Sequence, residues 1–314
     1  MAASVFESQL YGDLFPSGDA GRLFTDSAEV RAMRLVEGSL AKVQGTAGVI
    51  PEESAKFIHR ATMELQVDPG GLAKAAGQNG VVVPGLVALF RKELEAPEHA
   101  PYVHWGATTQ DIVDTALMLR LRQLLTHCDK QLTALLGRMG KLAETHAETP
   151  MAARSWGLHA TVTSFGAQVA EWGNPLVDLL EELPALKASS LWVSLSGAAG
   201  TGSALGPKAA ETRSALAQAL ALKDPERSWH TDRGPVLRVV SWLTRLSVAL
   251  GKIGEDAIAM TQTGVTEIQL GSAGSSSTMP QKQNPVKPSA MAALGRQASG
   301  LSGMLHASGM HKNQ

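Results

Sequence analysis

The feature of this sequence that most constrains its fold is a long stretch without proline, from Asp111 to about Ala147. Within it, apolar residues return every three or four positions, which is the spacing of one face of an α-helix. These residues are Leu121, Leu125, Cys128, Leu132, Leu135, Met139 and Leu142. A helix of about 35 residues would be about 50 Å long. Its apolar stripe must be buried, and several long stripes bury one another best in a bundle of nearly parallel helices.

Similar apolar spacing predicts helices on both sides of this stretch. One starts near Thr25 and is closed by Gly48 and Pro51, after an irregular segment over residues 1–20. Other predicted helices cover about 52–65, 71–77, 84–94, 162–186, 236–260 and 285–306. We therefore predict an all-α fold with a small N-terminal helical domain, residues 1–101, and a long-helix bundle domain, residues 102–314.

Composition limits the partners and the compartment. The formal net charge is -1 and there is no long basic run, so electrostatics give no reason to expect nucleic acid or an anionic membrane as partner. The single cysteine, Cys128, excludes an internal disulfide and suits a reducing compartment. The N-terminus lacks the pattern of a signal peptide, and the apolar run 81–90 is too short to span a bilayer. We expect a cytoplasmic protein.

Three breaks rich in Gly, Ser or Thr interrupt the helical pattern. The first, residues 102–111, precedes the longest helix, where hydroxyls and unpaired N–H groups can bind a carboxylate. An ordinary helix cap by Thr109 or Asp111 explains the same residues. The second, residues 154–161, contains His159 and Trp156. His159 is either a general acid/base or a structural histidine, and Trp156 either packs or lines a substrate pocket.

The third break, residues 271–285, is the most informative, and we call it the signature loop. Its Ser/Gly composition is typical of a flexible linker. However, it ends in Met-Pro-x-Lys-x-Asn-Pro, which combines a cation, an amide and two rigid turns. That combination favours a mobile lid that binds a carboxylate.

Together these segments resemble the fumarase/aspartase superfamily. Residues 276–285, SSTMPQKQNP, are similar to its signature S-S-x-M-P-x-K-x-N-P. Residues 104–111 resemble the superfamily's first block and residues 154–166 its second block, in the same order. The resemblance implies a catalytic role for Ser276 as base, for His159 as acid/base and for Lys282 in carboxylate binding. It implies substrate contacts by His104, Thr108, Thr109, Gln110, Trp156, Ser277, Met279 and Asn284.

The resemblance also implies an assembly and a class of substrate. Members form a homotetramer whose active sites are shared between subunits, and they act on small polycarboxylates without a metal or an organic cofactor. They normally continue beyond the position of Gln314 into more bundle helix and a third small domain. We therefore expect that third domain to be absent or truncated in this chain.

Several departures from the superfamily pattern narrow the prediction. Fumarate-releasing members usually carry a glutamate five residues after the signature asparagine, where this chain has Ser289. Without that carboxylate, His159 loses a partner that would fix its tautomer. The Thr-His pair common in adenylosuccinate lyases is Ser155-Trp156 here. These differences resemble the cycloisomerase branch, in which a carboxylate adds to a double bond of the same molecule.

Two other functions remain open from the sequence. A lyase of the adenylosuccinate or argininosuccinate type needs the same loop, but also a nucleotide or guanidinium pocket, for which no motif is evident. A non-catalytic structural protein like the lens crystallins can also use this fold. His230, Asp232 and Arg233, at the start of a predicted helix, favour capping and subunit contacts over catalysis.

Overall fold

The computed structural model describes residues 4–279 and 281–310, and it confirms the predicted all-α fold. Its α-helices are α1 Gly18–Arg22, α2 Asp26–Thr46, α3 Glu52–Glu64, α4 Ala73–Asn79, α5 Val83–Glu93, α6 Thr109–Thr145, α7 Phe165–Ser190, α8 Ala209–Leu220, α9 Gly234–Met260 and α10 Val286–Ala307. The strands are β1 Pro150–Ser155 and β2 Leu158–Ser164. Short 3-10 helices span Val5–Glu7, Pro69–Leu72, Ala100–Tyr102, Ala198–Gly200 and Ser203–Lys208. Within these described residues, no helix combines the length and apolar character that crossing a bilayer requires.

The predicted helices are present. Some of them begin at other residues than predicted, and further elements lie between them. α6 has 37 residues and begins at Thr109, two positions before the predicted start. The helix predicted from about Val162 begins instead at Phe165, because residues 158–164 pair with β1. Neither this hairpin nor α8 was predicted from the sequence. Short, solvent-exposed strands carry little of the alternating pattern by which strands are recognised.

The chain divides into two compact units, each built from separate stretches of sequence. The core unit comprises the described residues within 18–126, 185–236 and 309–314. The hairpin unit comprises those within 1–17, 127–184 and 237–308. α6, α7 and α9 each supply residues to both units. The domain boundary near residue 101 stays a prediction.

α2 is the centre of the core unit, where it packs against α3 and α8. It starts as predicted at Thr25, whose Oγ1 accepts a hydrogen bond from the N–H of Ala28 at 3.2 Å. Gly45 lets α3 approach closely, because a Cβ at this position would overlap the side chain of Ala55. Large side chains that are fully buried in this unit include Met33, Leu40, Ile58, Leu86, Ile112 and Leu216.

In the hairpin unit, buried tryptophans and glycines join the long helices. The indole N–H of Trp172 donates to Asp256 at 2.7 Å, which links α7 to α9. α9 and α10 meet at glycine, since a Cβ on Gly295 would lie 3.2 Å from the Cα of Gly251. Small residues therefore allow close approach between these two helices.

Candidate active site

The first block lies in the core unit and leads into α6. The backbone N–H of Thr108 donates to the Asp111 carboxylate at 3.0 Å, so Asp111 caps the helix as one interpretation predicted. Thr108, Thr109 and Gln110 are half-buried. The Gln110 side chain lies close to Asp114 and acts to lower the pKa of that carboxyl. Gln110 therefore has an acidic neighbour within α6 in addition to any substrate role.

The Asp111 carboxylate is fully buried and organises this end of the site. It accepts hydrogen bonds from the hydroxyl of Ser194 and from the backbone N–H groups of Ser196 and Gly197, each at 2.9 Å. His230 donates to it through Nε2 at 2.8 Å. A buried carboxylate is stable when its oxygens are satisfied in this way. Asp111 thus fixes the start of α6 against the chain around residue 196.

Asp111 and His230 shift each other's pKa in opposite directions. Burial alone would raise the pKa of Asp111, but the hydrogen bonds from His230 and from the backbone outweigh burial and lower that pKa. The hydrogen bond to Asp111 raises the pKa of His230 above its ordinary value. Each residue of the pair therefore favours the charged form of the other.

One helical turn further along α6, Asp114 faces Arg233. The two form an ion pair, with the Arg233 guanidinium 3.0 Å from an Asp114 oxygen. Burial raises the pKa of Asp114, and the charge of Arg233 opposes that rise. Arg233 also lies over the ring of Trp229, 5.1 Å from its centroid. The capping predicted for this region is confirmed for Asp232, which accepts a hydrogen bond from the N–H of Gly234 at 2.9 Å.

At the other end of the first block, His104 is paired with a glutamate from α2. Its Nδ1 lies 2.6 Å from Oε1 of Glu37, whose side chain is only 4% exposed. His104 has a φ of +62°, a left-handed conformation that is uncommon for a residue with a side chain. Glu37 could not be predicted as a site residue from the sequence, because nothing local distinguishes it from other acidic residues of α2.

The second block forms the hairpin of β1 and β2. Trp156 and Gly157 occupy its two-residue turn, with φ values of +57° and +76°. This turn leaves Trp156 99% exposed, so its ring does not pack within the described chain. Leu158 and Val162 on β2 are exposed as well. The hairpin therefore presents apolar side chains to its surroundings.

His159 lies on β2 directly opposite Arg154. Arg154 is engaged by Glu267, with two hydrogen bonds of 2.7 and 2.5 Å, and this contact raises the pKa of the guanidinium. His159 is exposed and lines an open cavity of about 610 Å³. The other lining residues are Pro150, Met151, Ala152, Ala160, Thr161 and Val162. A histidine at an open cavity is accessible for proton transfer.

The signature loop is closed at its neck by main-chain hydrogen bonds. The N–H of Gly274 donates to the carbonyl of Asn284 at 2.9 Å, and the N–H of Asn284 donates back at 2.8 Å. The Asn284 amide also donates to the carbonyl of Ser275 at 3.2 Å. The Ser276 hydroxyl oxygen accepts from the N–H groups of Thr278 and Met279, at 3.3 and 3.1 Å. The predicted base is therefore held by the loop's own backbone.

The predicted cation and its neighbours lie at the outside of this loop. Lys282, Ser277 and Met279 are exposed, and Asn284 is half-buried. Pro280 of the signature lies outside the described residues. Asn284 and Ser289 line one cavity of about 430 Å³, together with Leu14, Phe15, Pro285, Val286, Ala290 and Ala293. Ser289, at the position of the superfamily's glutamate, thus shares a cavity with the predicted carboxylate-binding asparagine.

The predicted site residues fall into three groups. Those of the first block belong to the core unit, and those of the second block and the signature loop to the hairpin unit. Within the described residues, no hydrogen bond joins His159 to the signature loop. No group of three or more His, Cys, Asp or Glu side chains in the same part of the chain could hold a metal ion.

The all-helical fold, the capped first block and the signature loop together define a class of protein. Residues 24–300 match the lyase family, and this chain belongs to that family. The resemblance to the fumarase/aspartase superfamily is thereby confirmed.

Comparison with individual members of the family gives a narrower match than the family as a whole. The chain is 34% identical to a 3-carboxy-cis,cis-muconate cycloisomerase from Pseudomonas aeruginosa, over 96% of this chain and 66% of the relative. It is 38% identical to a protein of the same name from Bradyrhizobium diazoefficiens, over 86% of this chain and 60% of the relative. The crystal structure of 3-carboxy-cis,cis-muconate lactonizing enzyme from Pseudomonas putida matches with a TM-score of 0.90 and 32% identity, covering 98% of this chain and 69% of that one. The chain thus spans about two thirds of the length of the curated relatives that it matches.

Proposed function

We propose that this chain carries out the cycloisomerase reaction, converting 3-carboxy-cis,cis-muconate to 4-carboxymuconolactone. The observation that carries the proposal is the 34% identity to a cycloisomerase of that name over 96% of the chain. The residues at the site support it, because Ser289 and the Ser155-Trp156 pair depart from the pattern of the fumarate-releasing lyases. The product belongs to protocatechuate breakdown by the β-ketoadipate pathway.

The reaction is an internal addition, and its atoms balance without a second substrate. One carboxylate oxygen of the substrate forms a C–O bond to a carbon of the conjugated diene. The π bond at that carbon breaks, and its electrons pass into the neighbouring conjugated carboxylate. The enolate-like intermediate then takes a proton on the adjacent carbon. Cations and N–H donors around that carboxylate lower the barrier, because negative charge develops there.

The candidate residues divide these tasks between them. Lys282 and Asn284 of the signature loop bind one substrate carboxylate, and Thr108 and Thr109 bind another at the start of α6. His159 or Ser276 transfers the proton. Exposure of Lys282 supports its role, since a flexible cation on a loop can reach a bound anion.

The second block and Ser289 bear on the choice between cycloisomerase and lyase. A lyase histidine is paired with a carboxylate, whereas the residue opposite His159 is Arg154. An imidazole opposite an arginine, rather than paired with a carboxylate of the protein, can hydrogen-bond directly to a substrate carboxylate.

The assembly is part of the same proposal. We infer a homotetramer in the cytoplasm, with active sites shared between subunits so that the three blocks meet from different chains. The exposed apolar residues of the hairpin, Trp156, Leu158 and Val162, support an interface at that position.

Ultraviolet absorbance is the direct test of the reaction. The purified chain is mixed with 3-carboxy-cis,cis-muconate, and in parallel with adenylosuccinate and argininosuccinate. Rapid loss of the diene absorbance with the first substrate alone is expected. Release of fumarate from either of the other two, with no change in the diene, would move the protein to the lyases.

A further inference from the structure

Glu37 pairs with His104, but it has no role in the mechanism described above. Glu37 is a buried acid on α2, and its Oε1 lies 2.6 Å from Nδ1 of His104. Its second oxygen, Oε2, is buried without a hydrogen-bond partner among the described residues. A carboxylate in this position is costly to bury and gains mainly from its contact with the imidazole. The contact therefore needs an explanation beyond helix packing.

The backbone around His104 is held in place by two further side chains. Arg91 donates through Nη2 to the carbonyl of Val103 at 2.8 Å. Gln44, which is fully buried on α2, donates through Nε2 to the carbonyl of Trp105 at 2.6 Å. The carbonyls on both sides of His104 are thus fixed while His104 itself has a φ of +62°. Non-glycine residues keep this conformation only where their surroundings impose it, and such residues cluster at functional sites.

The imidazole is left with one nitrogen for a ligand. Nδ1 is occupied by the Glu37 carboxylate, whereas Nε2 has no hydrogen-bond partner among the described residues. The His104 side chain is 17% exposed, so part of the ring can be reached from outside. A carboxylate acceptor at Nδ1 selects the tautomer with the proton on Nδ1 and the lone pair on Nε2.

We propose that Glu37 is a positioning residue, which fixes the tautomer and the ring orientation of His104 so that Nε2 acts on the substrate. This inference rests on the proposed function, and it adds a residue from α2 to the site. The first block is then anchored at both ends, by Glu37 at His104 and by the buried hydrogen bonds of Asp111 at the start of α6. The threonines that bind the substrate carboxylate lie between these two anchors.

A double-mutant cycle tests whether Glu37 acts through His104. Glu37→Gln keeps the size of the side chain but removes its charge, and we expect kcat/KM to fall about 10- to 100-fold, mostly in kcat. His104→Asn should cost at least as much, and adding Glu37→Gln to it should cost nothing more. If the fold losses in kcat/KM of the two single variants multiply in the double variant, the proposal is wrong. Glu29→Gln, on the same helix and paired with Arg120, is the matched control and should retain normal activity.

A second measurement does not depend on turnover. Nitrogen-15 spectra of histidine-labelled protein at about pH 8.5, where an ordinary histidine is neutral, report the tautomer of each ring. The His104 signal, assigned by its loss in His104→Asn, should show the proton on Nδ1, and Glu37→Gln should move it toward Nε2. A wild-type His104 with its proton on Nε2 would refute the role of Glu37, even if Glu37→Gln does not fold. If the wild-type chain leaves 3-carboxy-cis,cis-muconate unchanged, the proposed function fails while this spectrum still decides the inference.

Discussion

At the scale of single residues, the candidate site depends on carboxylates whose partners lie far away in sequence. Asp111 bonds to Ser194 and His230, which are 83 and 119 positions away. Glu37 bonds to His104 across 67 positions. Loop motifs could be predicted because their chemistry is contained in adjacent residues, as in the signature loop. The buried partners could not, because an acidic residue in a helix gives no local sign of what it will contact.

Removal of the Asp111 charge should destabilise the core unit strongly. Asp111→Asn leaves the imidazole of His230 and several donors without a carboxylate, and breaking a buried pair in this way costs about 3–5 kcal/mol. The free energy of unfolding, measured by urea denaturation, checks this. Glu211→Gln is the control, because its ion pair with Lys208 is exposed and should contribute less than about 1 kcal/mol. Equal effects of the two substitutions would contradict the role of Asp111.

The Asp111–His230 pair predicts how the free energy of unfolding depends on pH. The pKa of His230 is raised, so its contribution is fully present below its unfolded value of 6.5 and is lost as pH rises through the folded pKa. The pKa of Asp111 is lowered, so its contribution is present above 3.8 and is lost as pH falls through the folded pKa. We expect the urea midpoint to decrease as pH rises above 6.5 toward and through the folded pKa of His230. His230→Gln should flatten this decrease. The nearby charges of Asp114 and Arg233 are present in both proteins, so they do not cause the difference.

Lys282 allows a test of charge stabilisation in the reaction. Lys282→Ala removes the cation that stabilises the developing carboxylate charge, and kcat/KM should fall about 100- to 1000-fold. Lys287→Ala, at the exposed start of α10, is the control and should leave kcat/KM near normal. Steady-state kinetics with 3-carboxy-cis,cis-muconate provide the measurement. Near-normal activity of Lys282→Ala would remove this residue from the mechanism.

At the scale of elements, long helices were predictable and the hairpin was not. A 37-residue helix repeats its apolar spacing many times, so chance interruptions do not hide the pattern. β1 and β2 are short, and β2 is largely exposed whereas most of β1 is half-buried. They are joined by Trp156-Gly157 rather than by Asn-Gly, the usual sign of a tight hairpin. The strand pairing replaces the first turn predicted for α7.

The contact between α9 and α10 predicts opposite effects for two glycines of one helix. A Cβ on Gly295 would lie 2.9 Å from the carbonyl oxygen of Ser247, so Gly295→Ala should push the helices apart and cost about 1–3 kcal/mol. Gly300 has nothing within 4 Å of such a Cβ. Gly300→Ala should instead stabilise the helix by up to about 1 kcal/mol. Thermal unfolding of both variants checks the pair, and stabilisation by Gly295→Ala would argue against close packing there.

At the scale of the whole molecule, the hairpin exposes apolar surface that one chain does not cover. Trp156, Leu158 and Val162 lie within seven residues of each other on this element. Apolar residues grouped in this way are typical of contact surfaces between chains. This exposure agrees with the proposed sharing of active sites between subunits.

The proposed assembly predicts the mass of the protein in solution. Light scattering should give about 130 kDa, four times the 33.0 kDa of one chain. Leu158→Asp places a charge on the exposed face of β2 and should lower this mass. Met63→Asp, at an exposed position of α3 in the core unit, should leave it unchanged. A wild-type mass of about 33 kDa would contradict the tetramer.

Because its neck is closed by main-chain hydrogen bonds, the signature loop could have residues 275–283 replaced as a unit. The two hydrogen bonds between Gly274 and Asn284 use only main-chain atoms, so they do not depend on which side chains lie between them. Gly274 must be kept, because a Cβ there would come within 2.5 Å of the Val286 side chain at the start of α10. The loop of a fumarate-releasing relative could therefore be grafted onto this neck without shifting α10. Evolution and protein engineering can vary the chemistry of the loop separately from the helices that support it.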